Sequence, residues 1–308
     1  MSLRGGAIAT TRQSHVLYIL IKILPPLYLC GICEIASLHC VTLAMTIKIM
    51  NELRAIYTIW KRESIRYVRD KARIFSTLLQ PLMFLVIFGA GLGGTLTKGN
   101  FGVDYIIFMY PGIIAMNVMG IAFFSTVSTV WDREFGFLKE ILVAPVSRTS
   151  IVVGKISGAV TVASTQALLL LALAPFMGIH LNILIIIKLF LFMILLAFAI
   201  SGLGLLIASL MKTTESFGVI MQVMIFPMFF LSGAFFPLTN VPAWMMILSR
   251  VNPLTYGVDG MRQIIITGLP VEAAQKLFLY PVYTNVLILL VFSAVVVSVA
   301  TLAFNKRS

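Results

Sequence analysis

Apolar runs of twenty residues or more, separated by short breaks that carry charge, glycine or proline, recur along this 308-residue sequence. A run of that length matches the roughly 20 residues that an α-helix needs to cross the hydrocarbon core of a bilayer. Hydrophobic residues make up 60% of the chain and charged residues 11%, with a mean hydropathy of +1.03. Soluble domains lie nearer about 45–50% apolar and 25% charged. The sequence therefore predicts an all-α polytopic membrane protein. Its net charge of +12 would point to nucleic acid in a soluble protein. Here the basic residues flank the spans, as they do on the cytoplasmic face of membrane proteins. Three cysteines, all before residue 41, exclude a disulfide framework.

Six spans are expected: Ile74–Leu96, Tyr105–Val130, Ile151–Pro175, Ile183–Met211, Phe217–Phe236 and Val282–Phe304. Lys and Arg concentrate before the first, between the second and third, and after the last, whereas the two short loops Thr95–Gly102 and Phe176–Asn182 contribute only Lys98. That asymmetry puts both ends of this six-span region in the cytoplasm. Gly89-Ala-Gly91-Leu-Gly93-Gly94 formally matches GxGxxG, but it lacks the βαβ unit and the acidic residue that a dinucleotide site needs. Those glycines, like Gly154-x-x-x-Gly158, suit close helix approach. Pro227 should kink or break the fifth span. Lys188, near the end of the fourth, is able to snorkel.

Residues 1–50 follow a different pattern and form an uncertain N-terminal extension. The run Val16–Met45 is apolar enough to span, which would put the N-terminus outside, but Lys22, Pro25-Pro26 and Glu34 interrupt it. No small-residue cleavage site accompanies it, so it does not read as a signal peptide. Cys30-x-x-Cys33, with His39 and Cys40 nearby, lacks a second ligand pair at metal spacing, and the cysteines read as small hydrophobes. Met45 or Met50, just upstream of the orderly sequence, is the expected start of translation.

Asn51–Arg73 reads as a basic amphipathic interfacial helix. Leu53, Ile56, Tyr57, Trp60 and Tyr67 recur at helical spacing, with Arg54, Lys61, Arg62, Arg66 and Arg69 opposite. Aromatic and cationic faces of this kind suit a helix lying on an anionic leaflet, with Trp60, Arg62 and Arg66 as its anchors.

The stretch Trp131–Lys155 holds seven charges between the second and third spans: Asp132, Arg133, Glu134, Lys139, Glu140, Arg148 and Lys155. As one helix ending at Pro145, it gathers Phe135, Phe137, Leu138, Ile141 and Leu142 on one face and Asp132, Arg133, Lys139 and Glu140 on the other, with Glu134 projecting from the middle of the apolar face. Ser147 or Thr149 can cap the helix that follows. Two readings remain open. The stretch is a surface connector with Glu134 snorkelling to water, or a docking helix whose carboxylate meets a separate cytoplasmic protein.

Between the fifth and sixth spans, Pro237–Pro281 predicts two short helices dipping into the outer leaflet. The first is capped by Asn240 and runs through Trp244 to Arg250; Asn252-Pro253 breaks it. Thr255 can cap the second, which runs through Ile266 to a close at Gly268 and Pro270. Asp259 and Arg262, at i and i+3, can pair as an interfacial structural ion pair or stand at the outer mouth of a transport path.

Much chemistry is missing. The sequence has no GxxxxGK[ST], HExxH or GxSxG, and its histidines (His15, His39 and His180) stand beside no obvious partner. Acidic residues are almost absent from the spans, which disfavours a proton-coupled carrier. Active transport by such a chain requires a separate motor. A membrane-embedded enzyme, a passive channel and a scaffold are the readings of other classes.

Two segments carry a family resemblance. Glu134, Gly136, Leu138, Leu142, Pro145, Ser147 and Arg148 stand at the places of an E-x-G-x-L…L-x-x-P-x-S-R pattern. Asn252-Pro-Leu-Thr-Tyr-Gly-Val-Asp-Gly-Met-Arg262 is similar to an NPLTY…D…R segment before a last span. Together, over roughly 51–308, they resemble ABC type-2 transporter permeases of the daunorubicin-resistance and polysaccharide- or lipid-exporting kinds. The resemblance implies two permease copies working with two separate ATPase subunits that bind ATP and Mg; no cofactor is expected in this chain. The loop between spans 2 and 3 becomes the coupling helix, with Glu134, Gly136, Leu138, Leu142, Pro145 and Arg148 as its contacts. The implied function is export of drugs or lipids, or alternatively of polysaccharides or glycolipids. The start-site expectation has its own test: intact mass of protein made from the native gene should show a chain beginning at Met45 or Met50, and a dominant full-length species would refute it.

Overall fold

The computed structural model describes residues 26–96, 105–144, 146–177, 179, 181–266 and 277–306. Two compact units divide the chain, Met1–Leu53 and Arg54–Ser308. Within the first, the described backbone is helical from Pro26; the cysteine and histidine side chains singled out there lie outside the described residues.

The described residues form helices joined by turns, with no strand among them. In chain order these are α1 (Pro26–Arg69), α2 (Lys71–Leu96), α3 (Tyr105–Ser125), α4 (Val127–Glu134), α5 (Phe137–Val143), α6 (Arg148–Leu171), α7 (Ile183–Leu210), α8 (Thr214–Phe230), α9 (Ala243–Val251), α10 (Pro253–Ile265) and α11 (Val282–Lys306). Four segments are long and apolar enough to cross a membrane: Tyr105–Glu134, Arg148–Leu171, Ile183–Leu210 and Val282–Phe304. α2 lies over the expected first span. α8, over the expected fifth, is a shorter apolar helix of 17 residues.

The core centres on α3, which packs against α2, α6, α7 and α10. Its sequence is apolar on every side, so no stripe marks a solvent face, and Phe108, Tyr110, Ile113, Met119 and Phe123 are all buried. A helix apolar all round belongs in the middle of a bundle. α11, equally apolar, leaves Leu287, Val291, Val295 and Leu302 exposed, as lipid-facing residues require.

Several boundaries differ from the sequence reading. The basic helix does not begin at Asn51 but continues from upstream, and it stops at Arg69. Asp70 interrupts the path, and its Oδ1 accepts the Arg73 backbone N–H at 3.0 Å, a cap for α2. The stretch after the second span is two helices, not one. Gly136, at φ +84°, turns the chain between α4 and α5, a conformation open mainly to glycine. Ser147 caps α6 as expected, accepting the Ser150 N–H at 3.2 Å. The N-cap position of α9 is held by Pro242, not Asn240. α10 is capped by Asn252, which accepts the Leu254 N–H at 3.0 Å; Pro253 follows at the first position, so Thr255 is inside the helix. Gly268 and Pro270 lie outside the described residues.

The Gly154-x-x-x-Gly158 pair lets α6 approach α1 closely. A Cβ on Gly154 would lie 3.0 Å from Ile59 Cβ, and one on Gly158 would lie 2.7 Å from Glu63 Cβ. Glycine here replaces side-chain volume with backbone contact. Gly158→Leu should therefore destabilise the chain by about 1–3 kcal/mol through overpacking, read as a lowered melting temperature in detergent, while Gly120→Ala, where no atom lies within 4 Å of the added carbon, should leave it unchanged.

Candidate functional site

Three consecutive charged residues close α4. Successive side chains on a helix diverge by about 100°, so Asp132, Arg133 and Glu134 reach in three directions. Each finds a different element. Asp132 Oδ2 accepts from Lys155 Nζ on α6 at 2.6 Å and from Arg62 on α1 at 2.5 Å. Glu63 joins the group, 3.1 Å from the Arg62 guanidinium and 3.7 Å from Lys155 Nζ. Arg133 donates to the Ser209 and Met211 carbonyls at 2.8 and 2.7 Å, capping the end of α7. A guanidinium suits the partial negative charge of a helix C-terminus. Glu134 Oε2 accepts the Thr214 N–H at 3.1 Å and its hydroxyl at 2.5 Å, at the first turn of α8, the mirror arrangement.

These contacts revise the sequence reading. Asp132 and Arg133, expected on the face opposite the apolar one, meet protein there: Asp132 is buried and Arg133 is engaged with α7. Glu134 is exposed rather than embedded in an apolar face, and its carboxylate has an intramolecular partner. The anchors also make contacts within the protein, while Arg62 and Arg66 stay exposed. The Trp60 indole N–H donates to Thr161 Oγ1 on α6 at 2.8 Å, and the Arg66 guanidinium lies 4.2 Å from the centre of the Trp131 ring. Burial opposes the Arg62 charge, but the hydrogen bond to Asp132 and the charges of Asp132 and Glu63 outweigh it, raising its pKa above the ordinary value. The predicted apolar face of α1 divides accordingly: Tyr67 is buried and Trp60 half-buried, whereas Leu53 and Tyr57 are exposed.

The loop beyond α4 has the opposite character. Phe135, Phe137 and Val143 are 72%, 54% and 85% exposed, and Leu138 is buried in a small cluster with Val152, Ile156 and Phe304. The turn at Gly136 separates Phe135 from the phase of α5, so the single apolar face expected for this stretch does not form. Leu142 lies on α5 with its side chain outside the described residues, as is all of Pro145; Arg148 opens α6.

Near the start of α3, some 25 Å along the helix from α4 at 1.5 Å per residue, lie Asp259 and Arg262. Both are 3% exposed. They do not form the expected ion pair. Arg262 donates to the Gly233 carbonyl at 2.8 Å and to the Phe108 carbonyl at 3.4 Å, with its guanidinium 3.9 Å from the Phe108 ring centre. Asp259 accepts the backbone N–H of Leu279 and Tyr280 at 3.0 and 3.2 Å, and the side-chain amides of Asn285 and Gln263 at 2.8 and 2.9 Å. Burial pushes the Asp259 carboxyl above its ordinary pKa and the Arg262 guanidinium down to about 10. Each charge closes a chain turn: Asp259 ties α10 to the approach to α11, and Arg262 ties it to the segment after α8.

The sequence reading missed Glu63, Lys155 and the partners of Asp132. Its one available signal was the charge pattern itself, three charges in a row at the end of an apolar run. Among the described residues no group of His, Cys, Asp and Glu could hold a metal ion. Removing one partner from a buried pair leaves the other uncompensated, at a cost of about 3–5 kcal/mol. Asp132→Ala should lose stability of that order in thermal unfolding, and the double variant Asp132→Leu/Lys155→Met should recover most of it.

Comparison with known proteins agrees with this architecture. Residues 54–266 match the family described as ABC-2 type transporter. The chain is 32% identical over 216 residues to the protein of Cyanophora paradoxa named as transport permease ycf38, covering 68% of this chain and 73% of that one. It is 30% identical over 219 residues to the Escherichia coli K12 protein named as multidrug ABC transporter permease YbhR, covering 68% of this chain and 55% of the other. Nodulation protein J of Rhizobium leguminosarum bv. viciae is 29% identical over 221 residues, 71% of this chain and 82% of its own. With apolar helices that can cross a bilayer, no P-loop in its sequence and most of its length matched, the chain belongs to the ABC-2 type transporter family as a multi-pass membrane permease subunit without an ATPase domain.

Proposed function

We propose that this permease is the membrane half of an ATP-driven exporter, moving amphipathic or hydrophobic molecules such as drugs or lipids out of the cytoplasm. Its six spans are the segments 74–96, 105–130, 151–175, 183–211, 217–236 and 282–304, with α1 and the tail after α11 on the cytoplasmic side. A separate ATPase subunit binds ATP and Mg, and two permease copies associate around the path. α4, the Gly136 turn and α5 form the coupling element, in which Glu134, Gly136, Leu138, Leu142, Pro145 and Arg148 seat and orient the loop on the ATPase.

The observation that carries this reading is the branching of α4. The exposed loop with Phe135 and Phe137 is joined directly to a short helix whose three terminal charges hold α6 and α1, the end of α7 and the start of α8. A partner that grips the loop therefore acts on four helices at once. Arg62 works within that junction, while Trp60 and Arg66 hold α1 to α6 and α4, and lipid headgroups meet the exposed Leu53 and Tyr57. At the far end, Asp259 and Arg262 lock the short outer helices in place as structural groups.

One observation favours polysaccharide or glycolipid as the alternative cargo. Phe84, Phe229, Phe230 and Phe235 form a ring cluster, with Phe229 and Phe235 centroids 4.6 Å apart and Phe84 6.3 Å from Phe229. Aromatic faces of this kind suit sugar rings as well as acyl chains.

Co-purification with the ATPase encoded by the adjacent gene, followed by ATPase assays in liposomes with drugs, lipids and glycolipids, tests the assignment. Stimulation by drugs or lipids supports it, stimulation by glycolipids alone selects the alternative, and failure to associate with any ATPase refutes it. Glu134→Ala frees the loop from α8, and Gly136→Leu places a β-carbon at φ +84°. Both should reduce substrate-stimulated ATPase and export at least about tenfold with insertion intact, a loss corresponding to about 1.4 kcal/mol; normal export by both removes coupling from this loop.

A further inference from the structure

A groove of about 630 Å³ opens on the outside of the bundle where α7, α10 and α11 pack together. That volume lies within the roughly 300–1,000 Å³ of small-molecule sites. On α7 the groove runs from Ile185 to Leu195, about 15 Å along the axis at 1.5 Å per residue. Half of a hydrocarbon core of roughly 30 Å is the same length, the depth of one leaflet. The walls have surface to offer: Leu191 is 61% exposed, and Leu195, Ile264, Val282 and Val286 are half-buried.

Lys188 is the one charge on those walls and the one charge in α7. It is exposed and, among the described residues, makes no ion pair or hydrogen bond. The other polar residue of the wall, Gln263, spends its amide N–H groups on Asp259 and the Tyr280 carbonyl. Asp259, the one acid of α10, is buried, does not line the groove and is already held by amides. An ammonium among the apolar side chains of a span is costly unless water or an anion reaches it. Lys188 stands about 8 Å inside the start of α7, a depth from which its four-carbon stem can snorkel to headgroup level. The groove thus presents an unpaired cation near the end where α7 begins, and apolar surface for the rest of a leaflet's depth.

Taking the outer-side start of α7 from the six-span topology, and nothing from the cargo assignment, we propose that this groove holds a resident acidic phospholipid of the outer leaflet. The Lys188 ammonium meets its phosphate, and one acyl chain lies along Leu191 and Leu195 of α7 against Val286 of α11. A zwitterionic lipid presents the same phosphate but brings its own cation to compete with Lys188, whereas an acidic lipid leaves that charge to the protein.

Full-length protein in phosphatidylcholine liposomes, irradiated with phosphatidylglycerol that carries a diazirine in its acyl chain, should yield adducts on 185–195 and 282–290 by peptide mass spectrometry. The same diazirine on phosphatidylcholine should label these residues about fivefold less, the effect of one lysine at the membrane surface. Lys188→Gln should remove that preference, and Lys188→Arg should keep it. Leu191→Trp, which fills the groove with the charge left in place, should reduce labelling by both lipids. Equal labelling by the two lipids, or an unchanged preference in Lys188→Gln, overturns the proposal. Adducts that disappear on ATP turnover by the partner ATPase identify the lipid as cargo and overturn its resident role. Tyr283, 75% exposed at the start of α11, reads the topology independently. Tyr283→Cys, in a chain with Cys30, Cys33 and Cys40 changed to serine, should react with a membrane-impermeant maleimide from outside the cell and should not cross-link two copies. Reaction from the cytoplasm alone refutes the six-span topology and with it the outer leaflet, and ready cross-linking seats a second permease in the groove instead. Outside reaction with no lipid preference loses the lipid site alone.

Discussion

A buried ammonium has few ways to survive in a membrane protein, and Lys155 uses the most direct one. With its side chain 2% exposed, it lies 2.6 Å from Asp132, with Glu63 as a second carboxylate at 3.7 Å. Left alone, such a charge would have to neutralise or drag water inward. Neutralising it requires α4 to stop where it does and α1 to cross α6 where two glycines permit it. The crossing then fixes Arg62 and Trp60, and the position of α4 fixes where Arg133 meets α7 and Glu134 meets α8. Much of the geometry at this end of the bundle follows from one electrostatic requirement.

The same logic governs the other end by different means. Arg262 and Asp259 sit three residues apart on α10, yet Arg262 turns to backbone carbonyls and Asp259 to two backbone amides and two side-chain amides rather than to the other. Carbonyls and amides left over where helices end need partners, and a charged side chain supplies several strong hydrogen bonds at once. Pairing the two charges would have left those chain ends unsatisfied. Burial of the whole helix becomes tolerable because its two charges are used to close irregular backbone nearby.

Four long apolar helices were legible because lipid imposes length and composition on each helix separately, and the start of α7 at Ile183 and of α11 at Val282 matched the sequence reading. Ser147 as a cap was legible too, since capping needs only the next turn. What escaped was information shared between distant segments. Helical phasing put Asp132 on a polar face, which is correct as geometry, but that face meets α1 and α6 instead of water. Glu134 looked stranded among aromatics only while the stretch was drawn as one helix; the left-handed turn at Gly136 changes the phase. Asp259 and Arg262 had the spacing of an ion pair, and no local rule said that backbone amides from beyond residue 276 would compete for the carboxylate. Thr255 was an acceptable cap in sequence, but Asn252 with Pro253 behind it was a better one.

The two ends of the bundle therefore differ in how they can yield. Around α10 most of the bonds made by the two charges are to main-chain atoms, whose positions are set by covalent neighbours, so breaking them means unwinding a chain end. Around Asp132 the bonds are between side chains, and Asp132 already divides itself between two cations while Lys155 has a second carboxylate in reach. Partners of that kind can be exchanged one at a time, with no charge stranded along the way. Movement in this protein should begin on the side where electrostatic debts can be transferred, and the opposite rim should behave as the fixed frame against which it moves.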